Sequence, residues 1–229
     1  MTTRGRTMQA DPRETPRYAV TEGALYAGVP RSTLRDWTAR GAGRSPVLRT
    51  PRPDGRQSLS FYNLIELYVL ATLRREFGLS LQNVRRAVRF IEDTYPENHP
   101  LATAQFATDG VSLFIQEAAS GALVNASHMG QLEASQLVQR YLRRIDHDAH
   151  GMARRFYPTG LDRGSVASRA IVIDPEIGFG RPVLRGRSIP VEVILDRFDA
   201  GDGVVALARD FRCSAESIEA AIRAFHRAA

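Results

Sequence analysis

Three polar side chains in one short segment, Arg31, Thr33 and Arg35, have the chemistry needed to read DNA bases. An arginine can donate two hydrogen bonds to O6 and N7 of a guanine, and a threonine can contact base edges. On a helix that lies in the major groove, the early residues reach the bases. The sequence therefore predicts base or near-base contacts for these three residues and a phosphate contact for Arg40.

The positive charge of the chain is concentrated in its first quarter. Residues 1–60 contain 11 arginines and five acidic residues, an excess equal to the net charge of +6 of all 229 residues. Arginines and acids are balanced at five each in residues 61–100 and at 15 each in residues 101–229. Because neutralised phosphates release condensed counterions, a localised basic face favours nucleic-acid binding over its alternative, a solvated basic surface.

Residues 18–62 have the pattern of two short helices, a tight turn and a basic hairpin, which is the plan of a winged helix-turn-helix. Thr21 is expected to cap the first helix and Gly28 to end it. In the second helix, Leu34 and Trp37 lie three residues apart and are expected to face inward. Trp37 remains open between a core position and a DNA contact.

A basic wing is predicted after the second helix. Pro53, Asp54 and Gly55 form a turn between two arms, and Leu59 and Phe61 are expected to anchor the wing inward. Prolines flank the tip, so the wing is either a paired ladder or a loop. The candidate DNA-binding residues are Thr21, Arg31, Thr33, Arg35, Trp37, Arg40, Arg49, Arg52 and Arg56.

Two more helices are predicted in residues 61–95. Apolar residues recur at helical spacing from Leu64 to Leu73, Gly78 breaks the pattern, and Ser80 caps the second helix. The apolar stripe of that second helix is Leu81, Val84, Val88 and Ile91.

Residues 18–95 resemble the DNA-binding domain of the MerR family. The resemblance rests on the segment VPRSTLRDW at 29–37, on the arginine-containing wing, and on the break GLSL at 78–81. MerR regulators continue into a long dimerising helix, for which no heptad run follows here. The resemblance implies operator binding by the wing arginines and by Thr33, Arg35 and Trp37.

Residues 101–170 are predicted to form a mixed α+β module. Alternating apolar residues at Val111, Leu113 and Ile115 indicate a strand, and Leu123-Val124 indicate its hairpin partner. An amphipathic helix over residues 130–146 is expected next, followed by an irregular segment or a short strand.

The last stretch has a helix-turn-helix outline with balanced charge, which favours a protein contact over a DNA contact. Ser214 is expected to cap the last helix, and Gly180 and Gly186 to permit tight turns. The predicted elements are a strand at 170–173, a short strand at 183–184, and helices near 191–199, 203–210 and 214–227.

Residues 173–190, IDPEIGFGRPVLRGRSIP, resemble the signature of an antitoxin-associated domain of unknown function, the four-three-three family. Proteins with this domain are typically antitoxins encoded beside PIN-domain ribonuclease toxins. A MerR-like head joined to such a tail is similar to a subset of the VapB antitoxins. The resemblance implies a type II antitoxin that binds and inhibits its toxin and binds operator DNA to repress its own operon.

The resemblance also implies how such a toxin would be blocked. A PIN active site is a cluster of carboxylates that holds Mg²⁺, and an antitoxin can neutralise it by inserting an arginine or by covering the RNA groove. Arginine beside aromatic residues is typical of interface anchors. The candidate toxin-binding residues are Arg154, Arg155, Phe156, Tyr157, Arg181, Arg185 and Arg187. For each arginine, the alternative is an ordinary surface position.

A second hypothesis is a MerR-like, ligand-responsive transcriptional regulator without a toxin partner, in which the middle module forms an effector pocket. An enzyme is disfavoured, because no nucleophile–base pairing, phosphate loop or carboxylate pair is recognisable. We therefore predict no catalytic residues and no cofactor.

Metal and membrane chemistry are also disfavoured. A single cysteine, Cys213, excludes a disulfide framework and a thiolate metal site within one chain and suits the cytoplasm. The cluster of Asp146, His147, Asp148 and His150 lacks the paired ligand spacings of zinc sites, so a polar helix exit is preferred and no metal is predicted. No apolar run approaches membrane-spanning length. A cytoplasmic homodimer that does not bind membranes is expected.

The predicted fold class is α+β, mostly α. The predicted domains are a flexible basic arm (1–17), a MerR-like winged helix-turn-helix (18–99), a mixed α+β linker and partner-binding module (100–170), and an antitoxin-associated helical domain preceded by short strands (171–229).

Overall fold

The structure, a computed structural model, describes residues 11–39, 45–120, 138–158 and 169–225. The helices are α1 (Val20–Tyr26), α2 (Arg31–Thr38), α3 (Phe61–Phe77), α4 (Leu81–Thr94), α5 (Val111–Ala119), α6 with its described part at 138–142, α7 (Val191–Asp199), α8 (Val204–Asp210) and α9 (Ala215–Phe225). The strands are β1 (Tyr18–Ala19), β2 (Ser58–Leu59), β3 (Ile145–His147), β4 (Ala153–Phe156), β5 (Ile171–Val172) and β6 (Val183–Leu184). The fold is mixed α/β and mostly helical, which confirms the predicted mixture of helices and strands with helices in the majority.

Helices α1 and α2 lie where two short helices were predicted, and a tight turn joins them. Gly28 adopts a φ of 66°, and the Val29 N–H donates to the Ala24 carbonyl at 2.9 Å, so the chain leaves α1 in a tight turn. Leu34 and Trp37 are buried, as the three-residue spacing predicts. Thr21 is not the cap, because α1 already begins at Val20.

The wing is a loop rather than a ladder. Its second arm, β2, pairs with β1, with Tyr18 opposite Leu59. The two arms are joined across the tip by the Ser58 N–H, which donates to the Pro51 carbonyl at 3.1 Å. Leu59 and Phe61 are buried and anchor the wing, as predicted.

Helix α3 is the centre of the fold. Ser60 caps it by accepting the Asn63 N–H at 3.2 Å, and every residue from Phe61 to Leu73 is buried. Gly78 ends the helix in the left-handed conformation. Ser80 then caps α4 as predicted. The stripe of α4 buries Val84, Val88 and Ile91, whereas Leu81 is half-buried.

The predicted strand at 111–115 is wrong, because these residues belong to α5. The buried residues are Val111, Phe114, Ile115 and Ala118, which follow the period of a helix. Short alternation and helical spacing coincide over five residues, and α5 packs against α4. The predicted partner strand at 123–124 lies outside the described residues.

The predicted helix at 130–146 is helical at 138–142, and its earlier part lies outside the described residues. Ile145 does not continue the helix but begins β3, which forms an antiparallel hairpin with β4. Phe156 of β4 also forms a bridge with Ile173, which links this hairpin to the C-terminal region.

The C-terminal elements agree with their predicted positions. The last helix is capped by Ser214, whose hydroxyl accepts the Ser217 N–H at 3.2 Å. Ring contacts join this region to α1, because Tyr26 lies between Tyr18 and Phe225 with centroids 6.1 and 5.8 Å apart. Within the described ranges, the larger of two apolar clusters runs from Tyr18 to Phe225, and the smaller contains Tyr157, Val172 and Val183.

Residues 1–17 were predicted to be a flexible arm, and the described part, residues 11–17, makes contacts with the rest of the chain. Arg13 binds Asp11 and Asp148, while Arg17 donates to the carbonyls of Pro12 and Pro175. The N-terminal segment is thus held against distant parts of the chain. None of the helices in the described ranges is long and apolar enough to span a bilayer.

Candidate functional site

The exposed side of α2 carries two arginines one helical turn apart. Arg31 and Arg35 are exposed, and neither forms an ion pair with any part of the chain that the structure describes. Thr33 is half-buried beside them. The buried Leu34 and Trp37 fix the opposite side of the helix, so the arginines are presented outward on a supported element. Such a face can donate to base edges in a major groove.

Trp37 is a core residue and not an exposed DNA contact. Its exposed fraction is 1%, and its carbonyl accepts the N–H groups of Val47 and Leu48 at 2.8 and 3.0 Å. These bonds hold the chain that leads into the wing. The candidate Thr21 is exposed on α1, and Arg40 lies outside the described residues.

The wing presents arginines of two kinds. Arg52 and Arg56 flank the tip, are exposed, and have no ion pair within the described ranges. Arg49 is also exposed but pairs with Glu92 of α4 at 3.0 Å. The unpaired arginines are suited to phosphate contacts, since no existing ion pair must be broken.

The aromatic residues of the candidate toxin-binding segment on β4 are not surface anchors. Phe156 is fully buried, and Tyr157 is 2% exposed. The Tyr157 hydroxyl donates to Asp146 at 2.6 Å, and burial together with this bond raises the pKa of Tyr157. Both residues stabilise the hairpin, so the prediction of aromatic interface anchors at these positions is wrong.

The two arginines of β4 are also engaged. The Arg155 guanidinium donates to the buried carboxylate of Asp174 at 2.7 Å, which raises the pKa of Arg155. Removing Arg155 would leave a buried carboxylate without its cation, so its role here is structural. Arg154 is exposed and pairs with Glu176 at 3.4 Å.

The three C-terminal candidates lie in two loops around β6. Arg181 is exposed and pairs with Glu192 of α7 at 3.3 Å. Arg185 and Arg187 lie in the loop 185–188, which is closed by the Arg187 N–H donating to the Leu184 carbonyl at 3.1 Å. Within the described ranges, neither has an ion pair, although the Arg185 guanidinium lies 5.7 Å from the centre of the Tyr157 ring.

The acidic and histidine cluster after α6 is occupied by internal bonds. Asp148 accepts from Arg13 at 2.6 Å and from the N–H groups of His150 and Met152. Burial opposes ionisation of Asp148, but the bonds from Arg13 and the backbone lower its pKa. No three His, Cys, Asp or Glu side chains converge as metal ligands in the ranges that the structure covers.

One partly buried charge cluster was not anticipated from the sequence. His99 lies between Glu66 and Glu14, with 3.1 Å from Nδ1 to Glu66 and 3.1 Å from Nε2 to Glu14. Its ring stacks on Tyr62 with centroids 5.0 Å apart. Burial alone would lower its pKa, but the two carboxylates raise the pKa of His99 to about 9. No local pattern signals this contact, because Glu14 and His99 are 85 residues apart.

A cavity of about 480 Å³ adjoins the base of the wing. It lies between residues 47–49, the C-terminal end of α4 and the segment 95–101. Arg49 and Glu92, which pair with each other, both line it. A ligand here would therefore contact the chain that carries the wing.

Two known proteins are similar to most of this chain, and one family model matches its C-terminal region. Residues 171–223 match the family model described as a protein of unknown function, DUF433. The chain is 26% identical over 234 residues to the Mycobacterium tuberculosis protein named "Putative antitoxin VapB45", covering 92% of this chain and 94% of that protein. It is also similar to the X-ray crystal structure of Rv2018 from Mycobacterium tuberculosis, with a TM-score of 0.69 and 25% identity over 91% of this chain and 98% of that one.

Proposed function

We propose that this chain is an antitoxin of a type II toxin–antitoxin system, of the VapB type. It binds and inhibits a PIN-domain ribonuclease toxin and binds operator DNA to repress its own operon. The observation that carries this proposal is the similarity to a protein with an antitoxin name over 92% of this chain and 94% of that protein. The DUF433 match at residues 171–223 supports it.

Operator binding is assigned to α2 and the wing, in a MerR-like head. Arg31 and Arg35 reach bases in the major groove, and Arg52 and Arg56 contact phosphates beside it. The exposure of these arginines supports the assignment. Since 11 of the 31 arginines lie in residues 1–60 against five acids, the remainder of the chain adds no net positive charge.

Toxin inhibition is assigned to an arginine that enters the carboxylate cluster of the PIN active site. Arg154, Arg155 and Arg181 already have carboxylate partners, so each would have to break an ion pair first. Arg187 is exposed at the tip of a tight loop and has no ion pair with any described residue. Arg185 also lacks an ion pair within the described ranges, but its guanidinium lies over the Tyr157 ring, so Arg187 is the candidate that binds foreign carboxylates at the lowest cost.

The proposal further includes a homodimer on the operator and a cytoplasmic location shared with its DNA and toxin. It assigns no catalytic role and no cofactor to the chain. A homodimer is expected because operator half-sites are commonly read by two-fold symmetric proteins.

Co-expression with the neighbouring reading frame tests the proposal. Growth arrest by the neighbour alone, relief by this chain, and recovery of a stable complex on a tag would establish the antitoxin function. A mobility shift on the upstream DNA at two salt concentrations tests the operator part. A neighbour that is neither toxic nor bound would reject the antitoxin function.

The cavity at the base of the wing favours one alternative, a MerR-like ligand-responsive regulator without a toxin partner. A ligand between Arg49 and Glu92 would disturb their ion pair and so act on a wing arginine. Mass spectrometry of the purified chain under non-denaturing conditions tests this alternative. A retained small molecule, together with DNA binding that depends on it, would favour the regulator.

A further inference from the structure

Phe179 is the most exposed large apolar side chain in the described ranges, with 88% of its surface accessible. It occupies the middle of the loop 178–181, between β5 and β6. An aromatic ring in water contributes nothing to folding through burial. Single exposed apolar residues are common on surfaces, so exposure alone assigns no role to this ring.

The backbone at Phe179 adds a second, independent cost. Its φ is 56°, in the left-handed region that disfavours residues with a Cβ atom. Gly178 and Gly180 on either side have φ values of 57° and 75°. Glycine at position 179 would adopt this conformation without strain. The chain thus carries an aromatic residue where both its side chain and its backbone are unfavourable for the isolated fold.

The loop that presents this ring is firmly held. The Arg181 N–H donates to the Gly178 carbonyl at 3.1 Å, and the Tyr18 hydroxyl donates to the Gly180 carbonyl at 3.0 Å. A Cβ atom on Gly180 would lie 2.6 Å from the Tyr18 hydroxyl oxygen, so the loop is packed directly against β1. A loop held in this way loses little backbone freedom on binding, which favours affinity.

The exposed charges next to the loop are compensated, whereas Arg17, which lies beside Gly180 and has no ion pair with a described residue, is half-buried and donates to the carbonyls of Pro12 and Pro175. Arg181 pairs with Glu192, and Glu176, on the other side of the loop, pairs with Arg154. A surface for nucleic acid would carry an excess of positive charge. An aromatic side chain with balanced charged neighbours instead fits a protein partner, with the ring in an apolar pocket and the ion pairs at the rim.

We propose that Phe179 is the apolar anchor of the toxin interface and inserts its ring into a pocket of the PIN-domain partner. This inference rests on the proposed antitoxin function. Phe179 lies within residues 171–223, the region that matches the DUF433 model. The anchor is separate from the blocking arginine: Phe179 supplies affinity, and an arginine reaches the acidic site.

The test uses the full chain and three variants, Phe179→Gly, Phe179→Tyr and Val205→Ala. Val205 of α8 is the matched control, because it is 79% exposed and lies outside this loop. Calorimetric titration with the purified PIN-domain protein encoded by the neighbouring frame measures the Kd. Thermal unfolding and light scattering measure the stability and the oligomeric state of each variant.

Phe179→Gly is expected to weaken binding by about thirtyfold or more, as for a hot-spot residue. Phe179→Tyr and Val205→Ala should change the Kd by less than about threefold. The unfolding temperature of Phe179→Gly should be equal or higher, because glycine relieves the strain.

Unchanged toxin binding by Phe179→Gly would overturn the assignment of Phe179 as the anchor. So would a loss of self-association in that variant, which would assign Phe179 to a contact between two copies. Absence of binding by the unaltered chain rejects the antitoxin function instead.

Discussion

The Tyr18 hydroxyl donates a hydrogen bond of 3.0 Å to the carbonyl of Gly180, although the two residues are 162 positions apart. Tyr18 belongs to β1, which pairs with the wing strand β2. Gly180 belongs to the loop that presents Phe179. The bond therefore joins the element that supports the candidate DNA-binding wing to the element assigned to the toxin.

Removal of this contact should destabilise the fold without changing the exposed surface. Tyr18→Phe should lower the free energy of unfolding by about 1 kcal/mol, because a buried carbonyl loses its donor. Gly180→Ala should cost about 1–3 kcal/mol from the backbone conformation alone, and its Cβ atom also meets Tyr18. Urea denaturation measures both values.

Gly186→Ala is the matched control, because Gly186 has a similar φ of 76° but open space around its Cβ position. Equal losses for the two alanine variants would show that only backbone strain matters.

The stability of the chain should decrease as the pH rises toward 9. The folded protein raises the pKa of His99 to about 9, above its ordinary value, through Glu66 and Glu14. A raised pKa means that the stabilisation is complete below the unfolded pKa of roughly 6.5 and is lost as pH rises through the folded pKa. Arg13 lies over the Tyr62 ring, on which His99 stacks, and it stays charged over this range. The expected pH dependence is therefore not due to Arg13.

Urea unfolding at pH 7 and pH 9.5 checks this prediction with His99→Gln as the control. The unaltered chain should lose more stability between the two pH values than the variant does. The same loss in both proteins would mean that His99 is not the group responsible.

Local patterns predicted the parts of the fold whose contacts are local. The caps at Ser60 and Ser80 act within three residues, and Ser80 was recognised in the sequence. Alternation at 111–115 was misleading because Val111 and Ile115 also share a helical face. The bond from Arg13 to Asp148 spans 135 residues, so no window of sequence contains it.

The candidate sites divide in the same way. The exposure of Arg31 and Arg35 followed from the inward spacing of Leu34 and Trp37. The burial of Phe156 did not follow from the sequence, since it depends on Tyr68 of α3, whose ring centre is 4.8 Å away. No sequence pattern singled out Phe179, because its left-handed backbone conformation depends on the folded loop.

Arg35 and Arg52 should contribute to operator binding in different ways. Arg35→Ala should weaken operator binding by about 1–3 kcal/mol and relax the preference for one sequence, as for an arginine that reads a base. Arg52→Ala should weaken binding to operator and random DNA equally and reduce the salt dependence by about one charge. Mobility shifts on both DNAs at several salt concentrations measure these effects. Equal loss on random DNA for Arg35→Ala would show that it contacts phosphate.

Arg187 and Arg181 should differ in toxin inhibition. Of these two arginines, Arg181 has an ion pair, with Glu192, whereas Arg187 has none among the described residues. Arg187→Ala should abolish growth rescue and ribonuclease inhibition while weakening toxin binding much less than Phe179→Gly does. Arg181→Ala should leave rescue intact.

The contrast between Arg187→Ala and Phe179→Gly arises because a blocking cation neutralises the active-site carboxylates, whereas an apolar anchor supplies most of the affinity. A ribonuclease assay at saturating antitoxin separates the two: there, Phe179→Gly still inhibits and Arg187→Ala does not. Full inhibition by Arg187→Ala at saturation would assign the block to another residue or to coverage of the RNA groove.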